Sequence, residues 1–393
     1  MNFRFTKEQD AFRQQVRDFL QSEIDAGTFV PRCAGLGKEV NLKFSRKFAK
    51  RGWIGITWPK EYGGQGRTYL EKAILVEECM MVDAPVRYHF LMDRQIGPSI
   101  IHFGSPWQKE YFLPRFVVAE EGMQFCLLFS EPNAGCDLAN VSTTALQDGD
   151  YYIINGQKVW STQAHTSHYG WLLARTTVDR EVPKHLSCSQ FIVPLNLPGI
   201  TIRPIINAAG AHNFNEVFFE DVKLEKKYLV GEEGGGFKQI MAQMDYERSG
   251  FDRLLQNYRV FDSLKTYVKE MCAKGKGGYF YGWVRDQVAQ LEIELDIGRL
   301  MVYYTSWLID QGIKPTSEAA MSKLFCNQYE QRLADIATRV FGPLAQITGE
   351  VFWAPMNGDV GLCYLWAPSY TLQGGSTEVL KNIIAQRKLG LPR

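Results

Sequence analysis

The sequence predicts an α+β fold in which a central sheet domain separates two helical domains. The spacing of apolar residues is helical in residues 1–122, becomes that of short strands in residues 123–235, and is helical again in residues 236–393. This order differs from the regular strand–helix alternation of a parallel sheet. We therefore expect an N-terminal helical domain, a central domain that is a compact β-barrel or sandwich, and a C-terminal helical bundle, with those bounds.

The N-terminal block opens with a helix-start signal, because Thr6 and Gln9 form a capping-box pattern. The apolar residues behind it recur on one helical face, namely Phe12, Val16, Phe19 and Leu20. A second helix is predicted over residues 69–82, and a further helical element is predicted to end at Pro114. The stretch 53–66 between them is rich in Gly, Pro and aromatic residues and is predicted to be a loop.

The middle block consists of short apolar runs between turn residues. Two runs flank Asn155-Gly156, a dipeptide typical of tight turns, so a hairpin is predicted there. Further strands are predicted at 171–175, 191–193, 200–205 and 217–219. In the C-terminal block the helical spacing returns and predicts helices over 284–308, 317–340 and 378–387.

Composition excludes several classes of function. The chain has 393 residues with 44 Lys+Arg against 43 Asp+Glu, so its charge gives no bulk attraction to nucleic acid or to an anionic membrane. No apolar run reaches the length of a membrane span, and the N-terminus lacks the pattern of an export signal. The eight cysteines are scattered without a Cys-x-x-Cys pair, which favours reduced thiols and a cytoplasmic location.

The common catalytic and nucleotide-binding motifs are missing. There is no Gly-x-Gly-x-x-Gly, no P-loop and no Gly-x-Ser-x-Gly elbow. His165 and His168 lack a third candidate ligand nearby, so we expect no metal there. The turn-rich loop Phe129-Ser-Glu-Pro-Asn-Ala-Gly-Cys-Asp-Leu-Ala139 is of a different kind, because its backbone N–H groups and the Ser130 hydroxyl could hold a flat polar ring.

That loop resembles the Ser/Thr-Glu-Pro loop of the FAD-dependent acyl-CoA dehydrogenases. Three more segments resemble the same family in the same order: Asn155-Gly-Gln-Lys-Val-Trp-Ser-Thr162, Phe214-Asn-Glu-Val-Phe-Phe-Glu-Asp-Val222 with the glycine run that follows, and Gly374-Gly-Ser-Thr-Glu-Val-Leu-Lys-Asn-Ile-Ile-Ala385. The resemblance covers essentially the whole chain. It implies a helix bundle, a β-barrel and a second helix bundle, with the flavin between the barrel and the C-terminal bundle.

The resemblance also implies the residues of an FAD site. Two groups follow from the motif positions, one on the barrel and one at the C-terminal glycine pair: Leu127, Phe129, Ser130, Trp160, Ser161 and Thr162, and Gly375, Ser376, Thr377 and Glu378. Trp160 offers a flat face to the ring, and Thr162 offers a hydroxyl near flavin N5. The second glycine leaves room for close backbone approach.

The reaction that the family performs is α,β-dehydrogenation of an acyl-CoA thioester, in which a carboxylate removes the α-proton and the β-hydrogen leaves as hydride to flavin N5. Many members place the carboxylate just before the C-terminal glycine, but that position here is Gly374. The alternative position, used by isovaleryl- and long-chain-type enzymes, is matched by Glu247, which we predict to be the base. The predicted substrate contacts are Cys136, Asp245, Tyr246, Arg248 and Gly374.

The resemblance implies an electron-transfer flavoprotein as the electron acceptor and a homotetramer or dimer. The family's usual Arg-x-x-Phe-Gly motif is absent near residues 274–285, and the ending Leu389-Gly-Leu-Pro-Arg393 is similar to that of bacterial subgroups for bulky, ring-bearing or dicarboxylic acyl-CoAs. Some of these combine two unlike subunits, so a related partner chain is a second expectation. Arg87 or Arg94 could hold a distal carboxylate, although a solvated helix face is the more ordinary interpretation.

Two other functions stay open from the sequence. A flavin oxidase or monooxygenase could use the same fold, and Gly374 would also suit a catalytically silent subunit of a heteromeric dehydrogenase. Glu247 and the Trp160/Thr162 pair favour an active dehydrogenase.

Overall fold

A computed structural model describes residues 4–31, 40–179, 181–247, 250–274, 280–349 and 351–392. The α-helices of this part are α1 Lys7–Asp25, α2 Leu42–Lys50, α3 Tyr69–Met81, α4 Arg87–Leu91, α5 Gly97–Phe103, α6 Pro106–Val117, α7 Gly236–Glu247, α8 Phe251–Leu254, α9 Tyr258–Ala273, α10 Phe280–Asp310, α11 Thr316–Phe341, α12 Asp359–Trp366 and α13 Thr377–Ile383. The strands are β1 Phe125–Leu128, β2 Thr144–Asp148, β3 Tyr151–Lys158, β4 Tyr169–Arg175, β5 Cys188–Pro194, β6 Ile200–Ile206, β7 His212–Glu225 and β8 Leu229–Val230.

The strands form one sheet that lies between two helical regions of the chain, as predicted. Its order is β6-β7-β3-β2-β4-β5-β8, and β1 pairs in parallel with β4. Alternate strand residues point to one face and pack there with full burial, including Ile154, Leu172, Phe191, Val217 and Phe219. This layer holds the ends of β1, β3 and β7 in fixed positions relative to one another.

The predicted hairpin at Asn155-Gly156 is wrong. β3 runs without a break through both residues, and the turn before it lies at Gly149, where φ is +57°. Asn155 instead exchanges hydrogen bonds with Asp221 of β7, at 2.9 Å in each direction, and the register between the strands shifts at Gly156. At Asn155-Gly156 the strand pairing is irregular because Asn155 forms its hydrogen bonds with the neighbouring strand β7.

The predicted helices agree with the structure except at Pro114. The Thr6–Gln9 capping box has both of its hydrogen bonds, at 3.2 and 3.0 Å. α3, α10 and α11 cover the predicted segments, and α13 with the π-turn that follows it covers 378–387. α6, however, continues past Pro114 to Val117, since a proline near the last turn removes only one helical hydrogen bond.

The described elements fall into two compact units. One contains α1, α3 and α8–α13, and the other contains α2, α4–α6, the sheet and all but the last residue of α7. In the first unit a buried ionic network joins α1, α3 and α10: Arg13 contacts Glu77 at 2.8 Å and Glu78 at 2.5 Å, and Arg299 contacts Glu77 at 2.6 Å. The domain bounds at residues 122 and 235 stay a prediction.

No helix among the described residues combines the length and apolar character that a membrane crossing requires.

Candidate active site

The first candidate segment follows β1 in the sheet unit. Leu127 pairs with Trp171 of β4, one residue before β1 ends at Leu128. Beyond it, the Phe129 carbonyl accepts a hydrogen bond from Lys158 Nζ at 3.1 Å, and the Ser130 carbonyl accepts one from the Val159 N–H at 2.8 Å. The loop is therefore docked onto the end of β3.

A buried ion pair lies under this loop. Lys158 Nζ is 2.7 Å from Glu131 Oε1, and neither side chain is more than 3% exposed. Glu131 also accepts hydrogen bonds from Ser142 N and Oγ, both at 2.6 Å, and from Thr143 N at 2.9 Å. The carboxylate thus joins three chain segments at one point.

The environment of the pair acts on both pKa values. Burial raises the pKa of Glu131, but the Lys158 charge and the four hydrogen bonds outweigh it and hold the pKa at about 2. Burial lowers the pKa of Lys158 to about 8 against the attraction of Glu131. Both groups are therefore charged at neutral pH.

The second segment, Trp160–Thr162, is held by β7. The Ser161 N–H donates to the Asn215 carbonyl, and Asn215 Nδ2 donates to the Ser161 carbonyl, each at 3.0 Å. One turn further, the Gln163 N–H donates to the Asn213 carbonyl at 2.8 Å. Trp160 and Gln163 have φ of +59° and +60°, a backbone conformation that residues other than glycine rarely adopt and that the neighbouring structure must maintain.

Trp160 is 59% exposed, and its ring meets Phe214 edge to face at 6.0 Å. Thr162 is also exposed, whereas Ser161 is buried. Cys136 lies exposed in the turn-rich loop with a free thiol. These positions agree with a loop that presents a large ring and a hydroxyl outward while its backbone is clamped from below.

The first histidine of the His165–His168 pair packs against another histidine. His165 stacks on His212, with ring centroids 3.7 Å apart, and Asn215 Oδ1 lies 3.2 Å from His165 Nδ1. Burial, the His212 ring and the charge of Arg87 lower the pKa of His165. Within the described residues no group of three or more His, Cys, Asp or Glu could hold a metal ion.

The third segment belongs to the other unit. Gly374 and Gly375 have φ of +68° and +106°, so the backbone turn requires glycine at both positions. The Gly375 carbonyl accepts a hydrogen bond from the buried Lys323 Nζ at 3.0 Å. Ser376 caps α13, its Oγ accepting from Val379 N at 3.4 Å, and Thr377 and Glu378 form the first turn.

The fourth segment is the C-terminal end of α7. Asp245, Tyr246 and Glu247 are its last three residues. Arg248 lies outside the described residues.

The barrel and glycine segments have the features that FAD requires. Ser161 Oγ and Asn213 Nδ2 are buried and have no hydrogen-bond partner among the described residues, which leaves polar atoms available at the edge of the Trp160 loop. An exposed tryptophan supplies an apolar face, and the Gly374–Gly375 turn leaves its backbone without side-chain cover. The Trp160 loop thus fits a flat ring with polar edges, and the glycine turn, in the other unit, fits the close approach of a polar group.

Comparison with known proteins identifies the family. Models of the acyl-CoA dehydrogenase N-terminal, middle and C-terminal domains match residues 6–120, 126–222 and 234–389. The chain is 33% identical to acyl-CoA dehydrogenase IpdE1 of Mycobacterium tuberculosis over 98% of both chains. This chain belongs to the acyl-CoA dehydrogenase family. It is an FAD-binding oxidoreductase that acts on the CH–CH group of an acyl-CoA.

Other acyl-CoA dehydrogenases agree with this assignment. The long-chain specific mitochondrial enzyme of Sus scrofa is 28% identical over 97% of this chain and 86% of its own. The Tcur3481-Tcur3483 steroid ACAD has a TM-score of 0.89 at 27% identity, and the ChsE4-ChsE5 complex from Mycobacterium tuberculosis has 0.84 at 28%, each with full coverage of both chains. The predicted fold, with helical N- and C-terminal regions and a central sheet region along the chain, is confirmed.

Sequence reasoning missed the residues that hold the site segments in place: Glu131, Lys158, Asn213, Asn215 and Lys323. Glu131, Lys158 and Asn215 lie inside the motifs that carried the resemblance, and Asn213 directly precedes one of them, so the motif regions contained the signal. Lys323 lies in α11, where the apolar periodicity of the helix gave no signal that this lysine holds a site segment.

Proposed function

We propose that this acyl-CoA dehydrogenase uses Glu247 to remove the α-proton of its thioester substrate. The proposal is supported by the residues that stand at the two positions where the base could lie. The turn at Gly374 offers no side chain, whereas the last residue of α7 is a glutamate. The likeness to a long-chain specific enzyme supports the choice, because that type carries its base at the corresponding position.

The chemistry requires a base in dry surroundings. The α-carbon of a thioester is a very weak acid, so hydrogen bonds to the thioester oxygen must stabilise the charge that develops there. A glutamate in an apolar pocket has a raised pKa and is a competent base near neutral pH. FAD, when bound, supplies the acceptor for the hydrogen that leaves the β-carbon.

The remaining site residues have binding roles in this proposal. Phe129, Ser130, Trp160, Ser161 and Thr162, together with Leu127, hold the flavin ring, and residues 375–378 hold its tail. Cys136, Asp245, Tyr246, Arg248 and Gly374 contact the acyl-CoA. A free thiol is a weaker hydrogen-bond donor than a hydroxyl, so Cys136 contributes less than the serine common at its position.

We propose a bulky, ring-bearing acyl group as the substrate class, supported by the structural likeness to a steroid ACAD. An electron-transfer flavoprotein is the proposed electron acceptor. The proposed location is the cytoplasm, supported by seven cysteines in the described part of the chain that are all free thiols.

A second subunit of the same family is the proposed partner. α10 exposes four apolar side chains at helical spacing, Ile293, Ile297, Leu300 and Tyr304, which are 39–55% exposed. A stripe of this kind on one helix face is typical of a surface that another chain covers. The ChsE4-ChsE5 complex supports a heteromer as well as a homomer.

The test compares Glu247→Gln with Asp245→Asn, two residues earlier on α7. Glu247→Gln should retain FAD but slow the exchange of the substrate α-hydrogen with deuterated solvent by about 10²–10⁴-fold, the usual contribution of a general base. Asp245→Asn should exchange within about tenfold of wild type, since one lost substrate contact is worth roughly 1.4 kcal/mol. Wild-type exchange in Glu247→Gln would exclude Glu247 as the base.

A further inference from the structure

α11 carries a row of buried polar side chains. Lys323, Asn327 and Glu330 follow one another at spacings of four and three residues, so they lie on one helix face. They are 0%, 3% and 1% exposed. A buried ammonium and a buried carboxyl are costly unless polar groups of the surrounding chain receive them.

Lys323 is received by the glycine turn. Its Nζ donates to the Gly375 carbonyl at 3.0 Å and to the Tyr370 carbonyl at 3.3 Å. Glycine has little conformational preference of its own, so two adjacent glycines with positive φ need an external anchor to keep one geometry. The lysine supplies that anchor from below the turn.

Glu330 forms hydrogen bonds with the residues that follow α8. It accepts hydrogen bonds from the Gln256 N–H at 2.5 Å, from the Asn257 N–H at 3.2 Å and from Asn257 Nδ2. Asn257 Nδ2 in turn lies 3.2 Å from the Tyr370 hydroxyl. Tyr370 therefore links the two ends of the polar row, and α11 fixes two segments at once.

We propose that Lys323 is a positioning residue for the cofactor: its buried ammonium holds the Gly374–Ser376 turn in the geometry that receives FAD. The inference rests on the proposed role of residues 374–378 in binding. An apolar side chain of similar length would fill the same space without the cost of burying a charge. The two backbone carbonyls compensate the buried ammonium, and its positive charge also suits the anionic cofactor that the turn would receive.

The matched control is Ser322, the preceding residue on α11. It is also buried, and its Oγ bonds with Thr305 Oγ at 3.2 Å and with the Met301 carbonyl at 3.4 Å, away from the glycine turn. Lys323→Met and Ser322→Ala each remove buried hydrogen bonds of α11. Only the first removes bonds to residues 370–375.

The experiment uses the full chain with bound FAD. Amide hydrogen exchange of residues 370–380 and the rate of FAD release after dilution are measured for both variants. Lys323→Met should raise both rates about tenfold or more, because a lost charge-assisted hydrogen bond is worth at least that factor. Ser322→Ala should leave both rates within about twofold, since its bonds lie outside the turn.

Equal FAD release in Lys323→Met and Ser322→Ala would overturn the inference, even if the turn exchanges faster. If Lys323→Met does not fold, Lys323→Gln, which retains an amide donor, takes its place and should release FAD faster than both wild type and Ser322→Ala. A wild-type protein that binds FAD but reacts with no thioester would refute the proposed function and leave this result standing.

Discussion

The ion pair beneath the Phe129–Ser130 loop gives a prediction in which the two partners differ. Removing one member of a buried pair commonly costs about 3–5 kcal/mol of stability, because the other charge stays buried without compensation. The cost for each partner follows from what remains. Lys158→Met leaves the Glu131 carboxylate with three donors, Ser142 N, Ser142 Oγ and Thr143 N.

Glu131→Gln is the more damaging change. Lys158 then loses the anionic partner that compensates its charge, because the Phe129 carbonyl and the single oxygen of the new amide are both neutral acceptors. The N–H groups of the new amide also face donors that previously formed hydrogen bonds with a carboxylate oxygen. We expect a loss of about 3 kcal/mol in the free energy of unfolding for Lys158→Met and about 5 kcal/mol for Glu131→Gln at neutral pH, the two ends of the usual range.

Urea unfolding of the full chain at fixed FAD concentration measures both values, with flavin fluorescence as a second probe. The double variant should lose less than the sum of the single variants, since the stranded charge is gone. The reasoning is refuted if either single variant lies within about 1 kcal/mol of wild type, or if Lys158→Met is the less stable of the two.

Three further predictions concern other parts of the chain. Asn215→Ala should release the strained Trp160 loop and shift the absorption spectrum and midpoint potential of bound FAD, while Asn155→Ala, on the neighbouring strand, should change neither. Ile297→Glu should lower the mass of the assembly in analytical ultracentrifugation, and an unchanged mass would show that α10 is not an interface. Burial raises the pKa of Glu330 from 4.5 to about 7, so ionisation of this carboxyl opposes folding, and the stability of the wild type should fall as pH rises through that interval. The expected fall is about 3 kcal/mol, at ~1.4 kcal/mol per pKa unit, and Glu330→Gln should not show it. Parallel stability profiles of the two proteins against pH would contradict this prediction.

The order of helical and strand regions could be predicted from periodicity because each long element buries one regular face. α10 and α11 are of this kind. The Asn155-Gly156 hairpin could not be excluded in the same way, because the alternative partner Asp221 lies 66 residues away. Local turn propensity was overridden by a pairing that only the folded sheet brings together.

The candidate site shows the same division. Motif order predicted the segments at Phe129, Trp160 and Gly375, because each motif is local in the chain. The supports of those segments are pairs distant in sequence, such as Glu131 with Lys158 and Lys323 with Gly375, separated by 27 and 52 residues. Their energetic role depends on burial, which a single sequence does not show for a lysine or a glutamate.

The central claim is that Glu247 begins an acyl-CoA dehydrogenation on this chain, and anaerobic mixing tests it most directly. Wild-type protein with bound FAD is mixed with ring-bearing, branched and linear acyl-CoAs, and the loss of the flavin absorption band is followed beside Glu247→Gln. We predict fast bleaching of the wild type with at least the ring-bearing thioesters, formation of the 2-enoyl product, and no bleaching of Glu247→Gln. Bleaching of both proteins at the same rate, or of neither with any thioester, would contradict the claim.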